Sequence, residues 1–266
     1  MTALLANAAN AGMIAGSLPP IDATTSLLVV SPHPDDETLC CAGVIRRVVM
    51  AGGHVSVVWI TSGDGSKLSM LLVEKSLFRT RDKAHDLAGK RMAEARAATA
   101  LLGVDSTRQF FLGYPDGGIR KLLTDSRSGL ERDFTAVLDR IQPTLILAPS
   151  PLDTHPDHEA TGLLAIRALS RRGELTKAHF WIVHGGEGWP SPRGYMPGIP
   201  LNMPPRGAGL AMVPFVLTDG EETSKLQAVN AYHTQMQVMA PFLLAFVRTS
   251  ELFSAIPVHP AGPATP

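Results

Sequence analysis

The chain has 266 residues, 45% of them apolar and 18% charged, which is enough to build one well-buried core. Its 24 Lys and Arg balance 24 Asp and Glu, which argues against a broad basic face for nucleic acid; no apolar run reaches the ~20 residues that span a bilayer, so no transmembrane segment is expected. The stretch up to Pro20 has no Lys or Arg, so no secretory signal is expected either, and the only cysteines, Cys40 and Cys41, are neighbours that make no disulfide framework.

The expectation is therefore two buried thiols on a helix, in a cytoplasmic protein. Strand and helix signals then alternate along the chain. Leu27 to Ser31 reads as a strand buried on both faces, and Glu37 to Ala51 as a helix closed by Gly52 and Gly53. His54 to Thr61 is a second strand, Arg81 to Leu102 a helix ending at Gly103, and Gln109 to Leu112 a third strand. A helix over Leu130 to Ile141 precedes a strand at Thr144 to Ala148, a helix over His158 to Ser170 and a strand at Phe180 to His184. Gly185 to Gly207 is dense in Gly and Pro and reads as an ordered, irregular excursion. Gly209 to Leu217 follows as an edge strand interrupted by Pro214, Glu221 to Met239 as a late helix, and Pro257 to Pro266 as a loose tail. Strands separated by helices predict an α/β, Rossmann-like fold: a mainly parallel sheet with helices on both faces. We divide the chain into an N-terminal extension (1–25), one domain (26–253) and a C-terminal tail (254–266).

Ligands of open parallel sheets bind beyond the carboxyl ends of the strands. Four polar clusters fall there: His33 to Glu37, Thr61 to Gly65, Gly113 to Gly118 and Asp153 to His158. His33 and Asp36, three residues apart at a strand-to-helix turn, can face one point, and His158 arrives from another strand end. Two imidazoles and a carboxylate match a catalytic zinc set with one position left open for water. Asp35 is then a spare carboxylate able to act as general base. His155 faces the same cavity, where as imidazolium it would stabilise an oxyanion and protonate the leaving amine. Asp157 is placed to orient an imidazole from behind. Helix capping alone would explain the prolines and acids of both clusters, but not histidines in both. His184, ending a strand beside a Gly-rich turn, is a further candidate for the cleft. His54, His85, His179, His233 and His259 have no ligand-like spacing.

His33-Pro34-Asp35-Asp36-Glu37 after an apolar strand, with His155-Pro156-Asp157-His158 much later, resembles the LmbE-like family. It is also called the PIG-L family, after N-acetylglucosaminylphosphatidylinositol de-N-acetylase. Thr61 to Asp64, Arg91-x-x-Glu94, Leu112 to Gly117 and Tyr232-x-x-Gln235 extend the resemblance over residues 26 to 253. The resemblance implies a divalent metal, usually zinc and alternatively Fe2+, and hydrolysis of an acetamide on a glucosamine-type sugar or a related conjugate. It also implies sugar contacts from Arg91 and Asp116. Cys40 and Ala42 stand where the family often has glycines. Ser66 to Lys90 is longer than a plain connection needs and reads as a lid, a contact in a homo-oligomer or simple helix packing. Two other readings are a metal-dependent amidase for a different sugar or thiol conjugate, and a non-catalytic Rossmann-like binding module. The latter would want a Gly-x-Gly-x-x-Gly turn after the first strand, where this chain has His33 to Glu37.

Overall fold

The computed structural model describes residues 17–65, 81–208 and 210–255. Residues 66–80, most of the segment read as a lid, an oligomer contact or simple helix packing, lie outside them, as do Gly209 and the tail beyond 255. Five strands run parallel: β1 (Ser26–Ser31), β2 (His54–Thr61), β3 (Gln109–Tyr114), β4 (Leu145–Pro149) and β5 (Ala178–Trp181). β6 (Met212–Val216) and β7 (Ser250–Ser254) join antiparallel, giving the order β3-β2-β1-β4-β5-β7-β6. The helices are α1 (Asp36–Met50), α2 (Arg81–Leu101), α3 (Ile119–Thr124), α4 (Leu130–Ile141), α5 (Pro156–Arg172), α6 (Asp219–Asn230) and α7 (His233–Leu244). The α/β architecture read from the sequence is the one observed.

Alternation along the strands divides the core into two layers. Leu27, Val29, Val57 and Trp59 face α1, α2 and α6, whereas Leu28, Val30, Val58 and Ile60 face α3, α4 and α5. Both faces are covered, which is why these strands read as unbroken apolar runs. Chain order runs outward from β1 to β3 in one direction and from β4 to β5 in the other. The sheet therefore has its switch point between β1 and β4, where a crevice opens at the strand carboxyl ends.

Besides the short helix α3, which was not expected, and β5, which ends at Trp181 rather than His184, three features differ from expectation. The late helix is two helices, broken at Ala231 and Tyr232, because Tyr232 turns inward and Glu94 caps α7 by accepting from the Thr234 amide at 2.9 Å. β7 was not expected because its second residue, Glu251, is charged yet fully buried. It accepts from Lys225 Nζ at 2.7 Å and from the amides of Gly43 and Val44 at 2.9 and 3.1 Å, which ties β7 and α6 to α1. Cys40 and Cys41, expected as separate thiols, are joined to each other by a disulfide within α1.

The excursion between β5 and β6 is anchored by Arg248, itself 1% exposed. Its guanidinium donates to the carbonyls of Pro192 at 2.6 Å, Val247 at 2.9 Å and Gly194 at 3.2 Å, with no carboxylate among these partners. At the other end of the chain, Leu18 and Ile21 pack on the core. No helix among the described residues is long and apolar enough to cross a membrane.

Candidate metal centre and active site

The loop after β1 bends sharply to start α1. Asp35 takes φ 138° and ψ −34°, a conformation costly for a residue with a Cβ. Several hydrogen bonds hold it. Ser31 Oγ donates to the His33 carbonyl at 2.7 Å, Thr61 Oγ1 to that of Pro32 at 2.9 Å, and the Asp35 amide to Glu37 Oε2 at 3.2 Å. Glu37 is fully buried and also accepts from Trp59 Nε1 at 2.9 Å, Thr38 Oγ1 at 2.8 Å and the Tyr232 hydroxyl. Burial raises its pKa while those donors oppose the rise.

This bend and the start of α5 bring three donor atoms together across the switch point. His33 Nδ1 is 3.1 Å from Asp36 Oδ2 and 3.3 Å from His158 Nε2, and the last two are 3.1 Å apart. A near-equilateral triangle of that size matches two nitrogens and one oxygen on an ion held at about 2.0–2.2 Å. The far side of each imidazole meets a carboxylate. His158 Nδ1 lies 3.1 Å from Asp153 Oδ2, and His33 Nε2 lies 3.3 Å from Asp116 Oδ1 and 3.4 Å from Asp157 Oδ2. Donating those protons leaves His33 Nδ1 and His158 Nε2 with lone pairs facing inward. The group His33, Asp116 and Asp157 also clusters closely. It does not suit a second ion, because His33 Nε2 carries the proton and the carboxylates already accept from the amides of Gly65, Gly117 and Ile119.

Electrostatics agree with the geometry. Without an ion, burial pushes His158 down, but Asp36 and Asp153 outweigh it and hold the imidazole at about 9. His33 is likewise raised well above its usual value, against burial, by Asp116, Asp157 and Asp36. Asp36 is held far below the carboxylate range by the two histidines although burial opposes it. Asp35 differs: burial lifts it to about 7, with Arg91 pulling the other way.

Asp153 has a role the sequence did not single out. Its Oδ2 also accepts from the amides of Val183 and His184, both at 2.9 Å, and its Oδ1 from the His155 amide at 2.9 Å. One buried carboxylate thus fixes a ligand ring and two neighbouring backbones. Sequence reading looked to Asp157 for the orienting acid; Asp157 stands behind His33, and Asp153 behind His158. The clue was a second acid inside the same short cluster, two residues before His155.

His155 caps α5, its Nδ1 accepting from the Asp157 amide at 3.3 Å, so the proton sits on Nε2. Burial, with His33 and His158 adding to it, lowers its pKa to about 4. With Nδ1 taken by the cap, Nε2 is the ring nitrogen left to donate. His184 also lines the cavity, and burial lowers it to about 3.

The cavity, about 290 Å³, has a polar side containing Asp35, Arg91 and Asp116 and an apolar side of Leu39, Val183, Met239 and Phe242. Arg91 is buried; it donates to Asp35 Oδ2 at 3.2 Å and to the carbonyls of Pro34 and Gly63 at 2.8 and 2.7 Å. With its amide assigned by its hydrogen-bond partners, Gln235 accepts from Arg91 Nη2 at 2.7 Å. Gly63, at φ +67°, leaves the space that Arg91 occupies. Of the residues singled out in the sequence, His33, Asp35, Asp36, Arg91, Asp116, His155 and His184 line this crevice, whereas Asp157 and His158 are fully buried.

Comparison with known proteins identifies a family and a shared fold. The family model described as PIG-L, GlcNAc-PI de-N-acetylase, matches residues 28–169. A 1D-myo-inositol 2-acetamido-2-deoxy-alpha-D-glucopyranoside deacetylase of Mycobacterium sp. (strain KMS) is 29% identical over 240 residues, spanning 80% of this chain and 75% of that protein. A probable N-acetyl-alpha-D-glucosaminyl L-malate deacetylase of Bacillus anthracis is 29% identical over 158 residues, 59% of this chain and 65% of its own length. Among solved structures, the N,N'-diacetylchitobiose deacetylase from Pyrococcus horikoshii superposes with a TM-score of 0.58 at 24% identity, covering 87% of this chain and 83% of that one. A deacetylase of the teicoplanin biosynthesis pathway gives 0.59 at 19% identity over 79% and 84% of the two chains, so the fold is shared.

Proposed function

The chain belongs to the PIG-L family of GlcNAc-PI de-N-acetylases, and from that premise we propose that it is a zinc-dependent hydrolase removing the acetyl group from an N-acetylglucosamine-type sugar or conjugate. The observation that carries the reading is the triangle of His33 Nδ1, Asp36 Oδ2 and His158 Nε2, each imidazole backed by a carboxylate, with Asp35 beside it. Those three residues would hold the ion. Zinc, when bound there, supplies Lewis acidity toward water and the acyl carbonyl.

The chain's own groups do the rest. Asp35, lifted toward neutrality by burial, takes a proton from the attacking water as a new C–O bond forms. The Nε2–H of His155 donates to the acyl oxygen as it gains negative charge. When the C–N bond breaks, the proton held by Asp35 passes to the leaving amine, so acetate and a free amino sugar depart. Asp153 and Asp157 keep the ligand imidazoles in the required tautomers. Arg91 and Asp116 offer the sugar hydroxyls a donor and an acceptor on the polar side of the cavity. Relatives acting on inositol, malate and chitobiose conjugates support an acetylated amino sugar as the common element. Acetate release from a panel of N-acetylglucosamine conjugates, with zinc present, tests the reading. Release that depends on zinc supports it, and no release from any member of the panel refutes it.

A further inference from the structure

His184 leaves β5 next to the metal triangle, and its ring is fixed by packing. It stacks on Phe242 at 5.6 Å between centroids and 14° between planes, and stands edge-on to His158 at 4.8 Å and 72°. Its backbone amide is bound by Asp153. Among the described residues neither ring nitrogen has a hydrogen-bond partner, although the ring lines the cavity. One nitrogen lies within 4.8 Å of the donor atoms of Asp36 and His158. The triangle beside it has edges of 3.1–3.3 Å. The half-buried ring therefore offers unpartnered nitrogen to whatever occupies the cavity.

We propose that His184 is a substrate-contacting residue, whose ring nitrogen hydrogen-bonds an uncharged polar group of the N-acyl sugar, the amide or a neighbouring hydroxyl, next to the metal position. The inference rests on the deacetylase reading. An imidazole nitrogen can donate or accept a hydrogen bond, and either suits such a group. The stack on Phe242 supplies the rigidity: the ring cannot swing away without leaving that face. No contact made by His184 has a structural task that would need nitrogen rather than carbon, since its amide, not its ring, is what Asp153 holds.

The test uses the zinc-loaded full chain. His184→Phe keeps an aromatic ring on Phe242 and removes both nitrogens, while His184→Asn returns one hydrogen-bonding group. His184→Phe should lower kcat/KM for N-acetylglucosamine glycosides by about tenfold or more, with zinc affinity unchanged in chelator competition, and His184→Asn should recover part of the loss. In the Asp35→Asn background, calorimetric binding of N-acetylglucosamine should weaken by a similar factor when His184→Phe is added. Wild-type kcat/KM in His184→Phe overturns the inference and leaves the deacetylase reading standing. A loss of zinc affinity that excess zinc repairs overturns it too, by making His184 a metal ligand. Absence of acetate release by the wild-type chain overturns the deacetylase reading itself.

Discussion

Replacing Asp153 by Asn removes one charge and changes almost no volume. The carboxylate accepts from His158 Nδ1, Val183 N and His184 N at one oxygen and from His155 N at the other. An amide has only one acceptor, so its oxygen should turn to the three donors and its NH2 to the His155 amide. That leaves two donors facing each other, at a cost of about 1–3 kcal/mol for the unsatisfied buried group. His158 meanwhile loses the negative charge that raises its basicity. Loss of a carboxylate behind a ligand imidazole weakens metal binding by about 10–100-fold. Zinc affinity, read by competition with a chromogenic chelator, should fall by that factor while far-UV circular dichroism is unchanged. Unaltered zinc affinity in a folded Asp153→Asn protein would refute the assignment of Asp153 to His158.

Asp35→Asn should keep its zinc yet lose about 10²–10⁴-fold in kcat; near-wild-type turnover in that variant removes Asp35 as base. For the metal-free protein, the raised pKa of His158 means its contribution is complete below the unfolded value of 6.5 and is lost as pH rises through about 9. The loss amounts to about 3 kcal/mol across that window. Asp36 and Asp153, both depressed, act at the other end, their contribution fading as pH falls below 3.8. Melting temperature without zinc should therefore decline from pH 6.5 to 9, and a flat profile there contradicts the ion-pair geometry. Gly63→Ala would set a Cβ 2.6 Å from Arg91 Nη1 at a backbone φ of +67°. We expect about 1 kcal/mol or more of lost stability and a raised KM, measured by melting and by steady-state kinetics; an unchanged KM would separate Arg91 from sugar binding.

The parallel core was legible because β1, β2 and β4 are apolar on both faces and each lies beside a helix with its own stop signal. The metal triangle was legible for a related reason, since His33 and His158 stand at two strand ends and neither is a helix cap, although His155 beside them is one. What could not be read depends on distant partners. Glu251 looks like a surface acid until Lys225 and two α1 amides are found around it. The break before α7 is invisible without Glu94 waiting to cap it. The orientation of His155 follows from an N-cap hydrogen bond, and the importance of Asp153 from four donors that arrive from 2, 5, 30 and 31 residues away.

The excursion after β5 is held through its main chain, by carbonyls of Pro192 and Gly194 on Arg248. A carbonyl is the same whichever side chain its residue bears. Apart from Trp189 and Leu201, which are buried in the core, and Asn202, which accepts from the Ser191 amide, substitutions along this segment can therefore accumulate without loosening its attachment, while the crevice a few residues away stays fixed. Such an arrangement separates what diversification can alter from what chemistry must keep. Exchanging the tip residues between related enzymes while leaving Arg248 in place should move preference among sugar conjugates more readily than it moves stability.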